Sequence, residues 1–238
     1  MLDELALLVG PEAAQPAAHE GPRHQREPPA ARPRPQPEAQ AHQPLRPGPL
    51  SVLLVITGPS GAGKTSVYRA LLAREPALWF SVSVTDRTRR ADEVDGRDYH
   101  FVSTDEFAAL RDTGGLLEWF EVYGDLKGTP RAPIEEHLAA GDDVLVEVDV
   151  RGARAIQHAL PDAYVVFVRP PSRAVQWQRL RARDPAGSDA ALTRRLDEAD
   201  AEEAQADAFD AVVVNDDLER AVDEVQTLLA RRRAAAPG

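Results

Sequence analysis

The sequence contains no cysteine, only two lysines and few aromatic residues, which make up 5% of its 238 residues. The absence of cysteine excludes disulfides, thiolate zinc sites and a cysteine nucleophile. Lys64 and Lys127 are the two lysines among 28 basic residues, and all the others are arginine. Where arginine is used almost everywhere, a lysine can mark a position that needs a compact ammonium group. No apolar run is long enough to cross a membrane, and the chain begins without the pattern of a secretory signal.

The first fifty residues differ in composition from the rest of the chain. Residues 1–50 contain 11 of the 20 prolines and no aromatic residue. Such a segment cannot bury enough apolar surface to offset its ordering entropy, so we predict that it is disordered. Residues 51–232 are enough for one compact domain, and the net charge of −11 lies almost entirely after residue 50. An acidic domain argues against non-specific binding of nucleic acids.

A phosphate-binding motif, G-x-x-x-x-G-K-[ST], occupies Gly58–Thr65. The apolar run Val52–Ile56 precedes it and residues 66–73 follow it with helical apolar spacing, so the motif lies between a buried strand and a helix. An ordinary glycine-rich turn would not need this context. In such a loop, backbone N–H groups and the helix N-terminus bind phosphate, the lysine bridges the outer phosphates, and the hydroxyl after it holds Mg²⁺. We therefore predict a nucleoside triphosphate site formed by nine residues: Gly58, Pro59, Ser60, Gly61, Ala62, Gly63, Lys64, Thr65 and Ser66.

Strand and helix patterns alternate through the rest of the chain, which predicts an α/β fold with a parallel sheet flanked by helices. Residues 80–84 and 99–102 have strand patterns, and we expect them to pair in a small antiparallel lobe. Ser103–Glu106 has a capping-box pattern at the start of a helix. The further predicted strands are 116–122, 144–150, 164–168 and 211–214, and the further predicted helices are 129–140, 173–183, 197–210 and 218–229.

Six motifs resemble those of guanylate kinases. They are Phe80-Ser-Val-Ser-x-Thr-x-Arg-x-x-Arg90, Glu93-x-x-Gly-x-Asp-Tyr-x-Phe-Val102, Leu117-Glu-Trp119, Gly128-Thr-Pro130, Val148-Asp-Val-x-Gly152 and Val214-Asn-Asp216. The resemblance extends in order from residue 51 to about residue 229. It implies a P-loop core with an inserted GMP-binding lobe at 80–130 and a helical lid at 180–205. It also implies transfer of a phosphoryl group from ATP to GMP, with ATP and Mg²⁺ as cofactors. We expect this to take place in the cytoplasm, chiefly because ATP is available there.

The resemblance assigns residues to the guanine base. It implies that Glu118 accepts hydrogen bonds from the two donors of guanine, N1–H and the N2 amine. Adenine lacks both donors, so AMP would leave a buried carboxylate unpaired, and such a mismatch can discriminate by roughly 10⁴. Ser83 and Thr129 match hydroxyls that approach O6 of the base. From the residues alone, Ser83 is better explained as a polar strand residue facing water. Thr129 could be a helix N-cap, a role that is compatible with contact to the base.

The resemblance also assigns residues to the GMP phosphate. Arg87 and Arg90 match two arginines that clamp this group, and Tyr99 matches a phenol that donates to it. Lys127 stands where the family usually has a tyrosine with the same role. Its ammonium would face the phosphate, or it would point to solvent and have no role. Asp86 replaces a common family threonine.

Two carboxylates and two arginines complete the expected site. Glu147 and Asp149 lie in the predicted strand 144–150, where burying them unpaired would be costly. We expect Asp149 to organise Mg²⁺, directly or through water, and Glu147 to order the acceptor side. Arg183 and Arg195 align with lid arginines that, in the family, move onto the transferring phosphoryl group. Either arginine could instead be a solvated helix residue.

Two other hypotheses remain open at this point. A non-catalytic guanylate-kinase-like interaction module would have a degraded phosphate-binding loop, whereas Lys64 and Thr65 are intact here. A kinase of the same fold with a different acceptor is suggested by Lys127 and Asp86. The expected partners are the small molecules ATP and GMP, and the sequence does not predict an oligomeric state.

Overall fold

The computed structural model describes residues 51–122, 124–185 and 187–235. The segment 1–50, for which the sequence predicts disorder, lies outside the described residues. Within the described ranges the strands are β1 (Leu53–Thr57), β2 (Trp79–Phe80), β3 (Val84–Thr85), β4 (His100–Phe101), β5 (Leu116–Val122), β6 (Asp125–Pro130), β7 (Val144–Glu147), β8 (Tyr164–Arg169) and β9 (Ala211–Val214). The helices are α1 (Lys64–Arg74), α2 (Thr104–Asp112), α3 (Arg131–Ala140), α4 (Val150–Ala159), α5 (Arg173–Arg183), α6 (Asp189–Glu203) and α7 (Leu218–Ala235).

A parallel sheet in the order β2-β7-β1-β8-β9 forms the core. Side chains alternate across β1. Leu53 and Val55 pack on one face with residues of α3 and α4, whereas Leu54 and Ile56 pack on the other face with residues of α1 and α7. Burial on both faces explains why this strand is a continuous apolar run in the sequence. The arrangement confirms the predicted α/β fold.

A second sheet, in the order β4-β3-β6-β5, forms the inserted lobe. The predicted strand 80–84 is wrong as a single element, because Phe80 ends β2 in the core sheet and Val84 begins β3 in the lobe. The Ser81 N–H still donates to the Leu145 carbonyl at 2.9 Å, and the chain then crosses to the lobe. The predicted antiparallel pairing is also wrong, because β3 pairs with β4 in parallel and with β6 antiparallel. Period-two alternation is the same in both sheets, so it could not mark the crossing.

Several predicted elements agree closely with the structure. Ser103 and Glu106 form the expected capping box of α2, each bonding to the backbone N–H of the other. The predictions for 116–122, 173–183 and 211–214 coincide with β5, α5 and β9. These segments are bounded by turn or capping residues or consist of a simple apolar pattern, so their bounds could be predicted from the local sequence.

The strand predicted at 144–150 ends earlier, at Glu147. Asp149 instead caps α4, because its side chain accepts a hydrogen bond from the Gly152 N–H at 2.8 Å. The apolar pattern continues across this boundary because Val150 is buried at the start of the helix. Continuity of the pattern therefore concealed a strand-to-helix turn.

The helices α5 and α6 pack together through a small cluster formed by Leu180, Leu192, Leu196 and Trp177. They occupy the region where the lid is predicted. The second helix begins well before the predicted residue 197, because the Ser188 side chain caps it. None of the helices in the described ranges is long and apolar enough to cross a membrane.

Candidate active site

The loop between β1 and α1 turns at three glycines with positive φ: Gly58 (136°), Gly61 (82°) and Gly63 (89°). A Cβ on Gly58 would lie 2.0 Å from the carbonyl oxygen of Val168, and one on Gly63 would lie 2.3 Å from Nδ2 of Asn215. Neither glycine can therefore carry a side chain. The first N–H groups of α1 have no acceptor within the helix, so the loop can bind an anion there.

Lys64 begins α1, and its ammonium group lies over the loop. The Nζ atom donates to the Gly58 carbonyl at 2.7 Å. It also lies 3.7 Å from Oε1 of Glu147, the last residue of the neighbouring strand β7. The predicted triphosphate-binding residues and Glu147 therefore meet at the carboxyl end of the core sheet, which is where open parallel sheets bind ligands.

Thr65 and Asp149 are the residues predicted to serve Mg²⁺. Thr65 is exposed in the first turn of α1. Asp149 has Oδ1 committed to the Gly152 N–H at 2.8 Å, and its Oδ2 lies 3.4 Å from Nη2 of Arg151. A hydroxyl and a carboxylate are the oxygen ligands that Mg²⁺ takes, and this ion usually keeps several waters. These ligand types fit Mg²⁺, and Thr65 and Asp149 would hold it.

Three polar side chains that were not predicted from the sequence contact the outer side of the loop. Gln176 Nε2 donates to the Ser60 carbonyl at 2.8 Å. Arg179 Nη1 and Asn215 Nδ2 both donate to the Ala62 carbonyl, at 3.0 and 2.8 Å. The spacing of Gln176 and Arg179 places them on one face of α5. No sequence motif marks Gln176, and its burial is visible only in the structure.

Glu118 and Thr129 are cross-strand partners on β5 and β6, so their side chains lie side by side. The Thr129 hydroxyl donates to Glu118 Oε1 at 2.5 Å. Glu118 is only 7% exposed, and burial raises the pKa of its carboxyl group to about 7 although the hydrogen bond from Thr129 opposes the shift. The N-cap of α3 is Pro130. The alternative role of Thr129 as a helix N-cap is therefore wrong.

Lys127 precedes Thr129 by two residues on β6, so both side chains lie on one face of the lobe sheet. Its Nζ donates to the Tyr99 hydroxyl at 3.1 Å and lies 4.9 Å from the centroid of the ring. The guanidinium carbon of Arg87 lies 5.0 Å from the same centroid. Lys127 is thus packed against Tyr99, one of the residues predicted to hold the GMP phosphate.

Arg87 is held in place by a carboxylate. Its Nη1 donates to Oε2 of Glu93 at 2.7 Å, and its Nη2 donates to Oε1. The Arg90 backbone N–H donates to the same carboxylate at 2.9 Å. These bonds, chiefly that of the Arg87 side chain, lower the pKa of Glu93 to about 2. The Arg90 side chain is exposed at the edge of this cluster, and Ser83 is half-buried one residue before β3.

Asp86 has a structural explanation. Its Oδ1 accepts a hydrogen bond from the Leu126 N–H at 2.7 Å, and its Oδ2 accepts one from the Thr104 hydroxyl at 3.1 Å. The side chain therefore joins the lobe sheet to α2. Because both carboxylate oxygens form hydrogen bonds within the lobe, Asp86 does not support the hypothesis of a kinase with an acceptor other than GMP.

The two arginines assigned to the predicted lid lie on different helices. Arg183 ends α5 and is exposed. Arg195 lies on α6, with Nη1 at 3.9 Å from Oδ2 of Asp184. Among the described residues, neither arginine makes a hydrogen bond or ion pair with the phosphate-binding loop. The structure thus brings Lys64 to this loop but leaves the two lid arginines apart from it.

Comparison with known proteins agrees with this arrangement. A model of the guanylate kinase family matches residues 51–232. The chain belongs to the guanylate kinase family. The matched range leaves out the N-terminal segment, as the motif resemblance did, and the predicted family is therefore confirmed.

Individual guanylate kinases are similar over most of their length. One from Synechococcus sp. (strain CC9902) is 48% identical over 175 residues, which are 74% of this chain and 93% of that relative. One from Gloeobacter violaceus is 49% identical over 183 residues, covering 76% and 88% of the two chains. The crystal structure of guanylate kinase from Anaplasma phagocytophilum has a TM-score of 0.64 at 30% identity and covers 79% of this chain and 88% of that one.

Proposed function

We propose that this protein transfers the γ-phosphoryl group of ATP to GMP, giving ADP and GDP. The observation that carries the proposal is a buried carboxylate, Glu118, close to an intact phosphate-binding loop. A Cβ on Gly152 would lie 3.3 Å from Glu118 Oε2, so this carboxylate packs against the first turn of α4. That helix follows β7, whose last residue Glu147 lies 3.7 Å from Lys64 Nζ. The segment from Glu147 to Gly152 therefore contacts both the group proposed to read the base and the lysine proposed to bind the phosphates.

The buried carboxylate accounts for guanine selection. Glu118 accepts hydrogen bonds from N1–H and the N2 amine of guanine, while Ser83 and Thr129 approach O6. AMP would bury the carboxylate without these donors, at a cost that can reach roughly 10⁴ in specificity.

The GMP phosphate binds to Arg87, Arg90, Tyr99 and Lys127. A guanidinium group has five N–H donors. Arg87 directs two of them to Glu93 and another to the Thr88 carbonyl, which leaves donors for the phosphate. The bidentate carboxylate fixes the plane of this guanidinium before substrate arrives, and a fixed donor loses less entropy on binding.

The reaction is a direct transfer between the two nucleotides. An oxygen of the GMP phosphate attacks the γ-phosphorus of ATP, and the bond to the β–γ bridging oxygen breaks, so that ADP leaves. Lys64, Arg183 and Arg195 stabilise the charge on the transferring group. The Thr65 hydroxyl and the Asp149 carboxylate would hold Mg²⁺, and the bound ion would neutralise part of the phosphate charge. Glu147 lies beside Lys64 and orders the acceptor side.

The two alternatives are less well supported. A non-catalytic module would not need Lys64 above a loop with three conformationally required glycines. A kinase with a different acceptor would not need the Glu118–Thr129 pair, and Asp86 already has both oxygens in structural bonds. We place the reaction in the cytoplasm, where ATP is available.

Product analysis tests the proposal. Incubation with ATP, Mg²⁺ and GMP should give ADP and GDP in equal amounts on ion-exchange chromatography. Lys64→Ala should reduce kcat by about 10²–10³ with an unchanged melting temperature, because the ammonium acts on transition-state charge. Arg69→Ala, which removes an exposed cation from the same helix, is the control and should retain kcat. Absence of GDP with the wild-type protein would refute the proposal.

A further inference from the structure

Gln176 is a buried amide in the middle of α5, with 4% of its surface exposed. An apolar side chain would fill this position without the cost of burying polar atoms. The glutamine instead donates from Nε2 to the carbonyl of Ser60 in the phosphate-binding loop, at 2.8 Å. A Cβ on Gly61 would lie 3.0 Å from Cγ of Gln176, so the helix also packs closely on the loop. The side chain therefore serves the loop rather than the lid.

The bond to Ser60 controls the direction of a neighbouring N–H group. A trans peptide is planar, and its C=O and N–H point in opposite directions. The Ser60 carbonyl belongs to the same peptide unit as the Gly61 N–H. When Gln176 holds this carbonyl on the outer side of the loop, the Gly61 N–H is directed to the inner side, where the phosphates of a nucleotide bind.

The carbonyl two residues further along the loop is held in a comparable way. The Ala62 carbonyl accepts from both Arg179 and Asn215, which fixes the peptide that carries the Gly63 N–H. The Ser60 carbonyl has Gln176 as its side-chain donor among the described residues. Because Gly61 adopts positive φ as readily as negative φ, rotation of its peptide would be inexpensive without that donor.

We infer that Gln176 is a positioning residue for the ATP phosphates, acting through the peptide between Ser60 and Gly61. The inference rests on the proposed function, because it specifies how the donor nucleotide is held. The inference predicts that removing the Gln176 amide weakens binding of the donor nucleotide only. Affinity for ADP and KM for ATP should change, whereas KM for GMP, which binds in the lobe, should not.

Gln176→Leu tests the inference, because leucine keeps the size and burial of the side chain but removes the donor. Calorimetry with ADP and Mg²⁺ on the full chain should show about five-fold weaker binding, as expected for the loss of one buried hydrogen bond. The KM for ATP should rise by a similar factor. Gln176→Met, another apolar replacement of similar size, should behave alike and serves if the leucine variant does not fold. Gln178→Leu, on the exposed face of α5, is the matched control and should bind ADP as the wild type does.

Two results would overturn the inference. One is unchanged ADP affinity in both Gln176 variants. The other is an equal rise in KM for ATP and for GMP together with a lower melting temperature, which would indicate a purely structural role. The ADP measurement does not depend on turnover. A wild-type protein that fails to phosphorylate GMP would refute the proposed function, while the comparison of ADP affinities would still decide the role of Gln176.

Discussion

Among single residues, Glu118 is buried at a cost to stability. Its folded pKa of about 7 lies above the ordinary 4.5, so the folded protein retains a proton that the unfolded chain loses. Stability therefore falls as the pH rises from 4.5 through 7, and the penalty is complete above that range. A ligand that supplies two hydrogen-bond donors to this carboxylate offsets the penalty.

Glu118→Gln should separate stability from function. The amide can still accept the Thr129 hydrogen bond but carries no buried charge, so the variant should melt at a higher temperature than the wild type at about pH 8. This advantage should disappear near pH 4, where both side chains are neutral. The kcat/KM for GMP should fall by about 10²–10⁴, because the amide presents only one acceptor to two donors. Thermal melting across pH and steady-state kinetics check these outcomes. Equal melting temperatures of the wild type and Glu118→Gln at about pH 8 would contradict a destabilising buried charge on Glu118.

The same carboxyl group should make GMP binding pH-dependent in the wild type. Only the ionised form accepts both guanine donors, so kcat/KM for GMP should decrease as the pH falls below about 7. A pH profile of kcat/KM measures this at saturating ATP. The inflection should be absent in Glu118→Gln. An inflection that persists in this variant would assign it to another group.

Lys127 is the second residue considered at this scale, because its ammonium group is proposed to bind the GMP phosphate. Arg87 already shares its charge with Glu93, whereas the Lys127 ammonium contacts the neutral Tyr99 hydroxyl and ring. Lys127→Ala should therefore raise the KM for GMP by about ten-fold and reduce its salt dependence. Lys127→Tyr should keep kcat or raise it, because a phenol has a fixed direction that a flexible ammonium lacks. Arg97→Ala, which removes an exposed cation from the same lobe, should leave both quantities unchanged. If Lys127→Ala also leaves them unchanged, Lys127 does not contact the phosphate.

At the scale of helices and strands, the predicted lid contains two arginines, Arg183 and Arg195, whose side chains make no hydrogen bond or ion pair with the phosphate-binding loop in the described part of this structure. Arg183→Ala and Arg195→Ala should each lower kcat by about 10²–10³ with little change in KM or melting temperature. We expect this because the proposed mechanism uses these side chains only when the predicted lid closes on the transferring group. Arg194→Ala removes the exposed neighbour of Arg195 and should retain kcat. A wild-type kcat in both site variants would exclude the lid from the mechanism.

Local sequence predicted elements well where one helix or strand has its own signals. The capping box of α2 and the apolar run of β9 are examples. It failed at 80–84, because the two parts of that segment belong to different sheets and share one alternating pattern. It failed again after Glu147, where the apolar pattern runs from a strand into a helix. Both failures concern where the chain turns, which depends on tertiary pairing rather than on local pattern.

Residues of the candidate site could be predicted from the sequence where they belong to a recognisable motif. Glu118, Thr129 and Lys127 could be named from the sequence, but their adjacency depends on the register of β5, β6 and β3. Gln176 was not named, because a single glutamine in a helix has no motif. Its importance follows only from the packing of α5 on the loop.

For the protein as a whole, the family match begins at residue 51, and the apolar core of the described residues includes Val52 and Leu53. Deletion of residues 1–50 should therefore leave kcat, KM for GMP and the melting temperature almost unchanged. Kinetics and calorimetry on the full-length and shortened proteins check this expectation. A large loss of activity or stability on deletion would show that the segment contributes to the domain.

The identity of the acceptor decides between the proposed reaction and its alternatives. ADP release should be measured with ATP, Mg²⁺ and each of GMP, AMP, CMP and UMP under identical conditions. GMP should be the preferred acceptor, with kcat/KM exceeding that of AMP by about 10²–10⁴, because only guanine donates two hydrogen bonds to Glu118. Turnover with none of the four would indicate a non-catalytic module, and preference for a non-guanine acceptor would indicate a kinase of changed specificity. Either result would contradict the assignment of Glu118 to guanine recognition in catalysis.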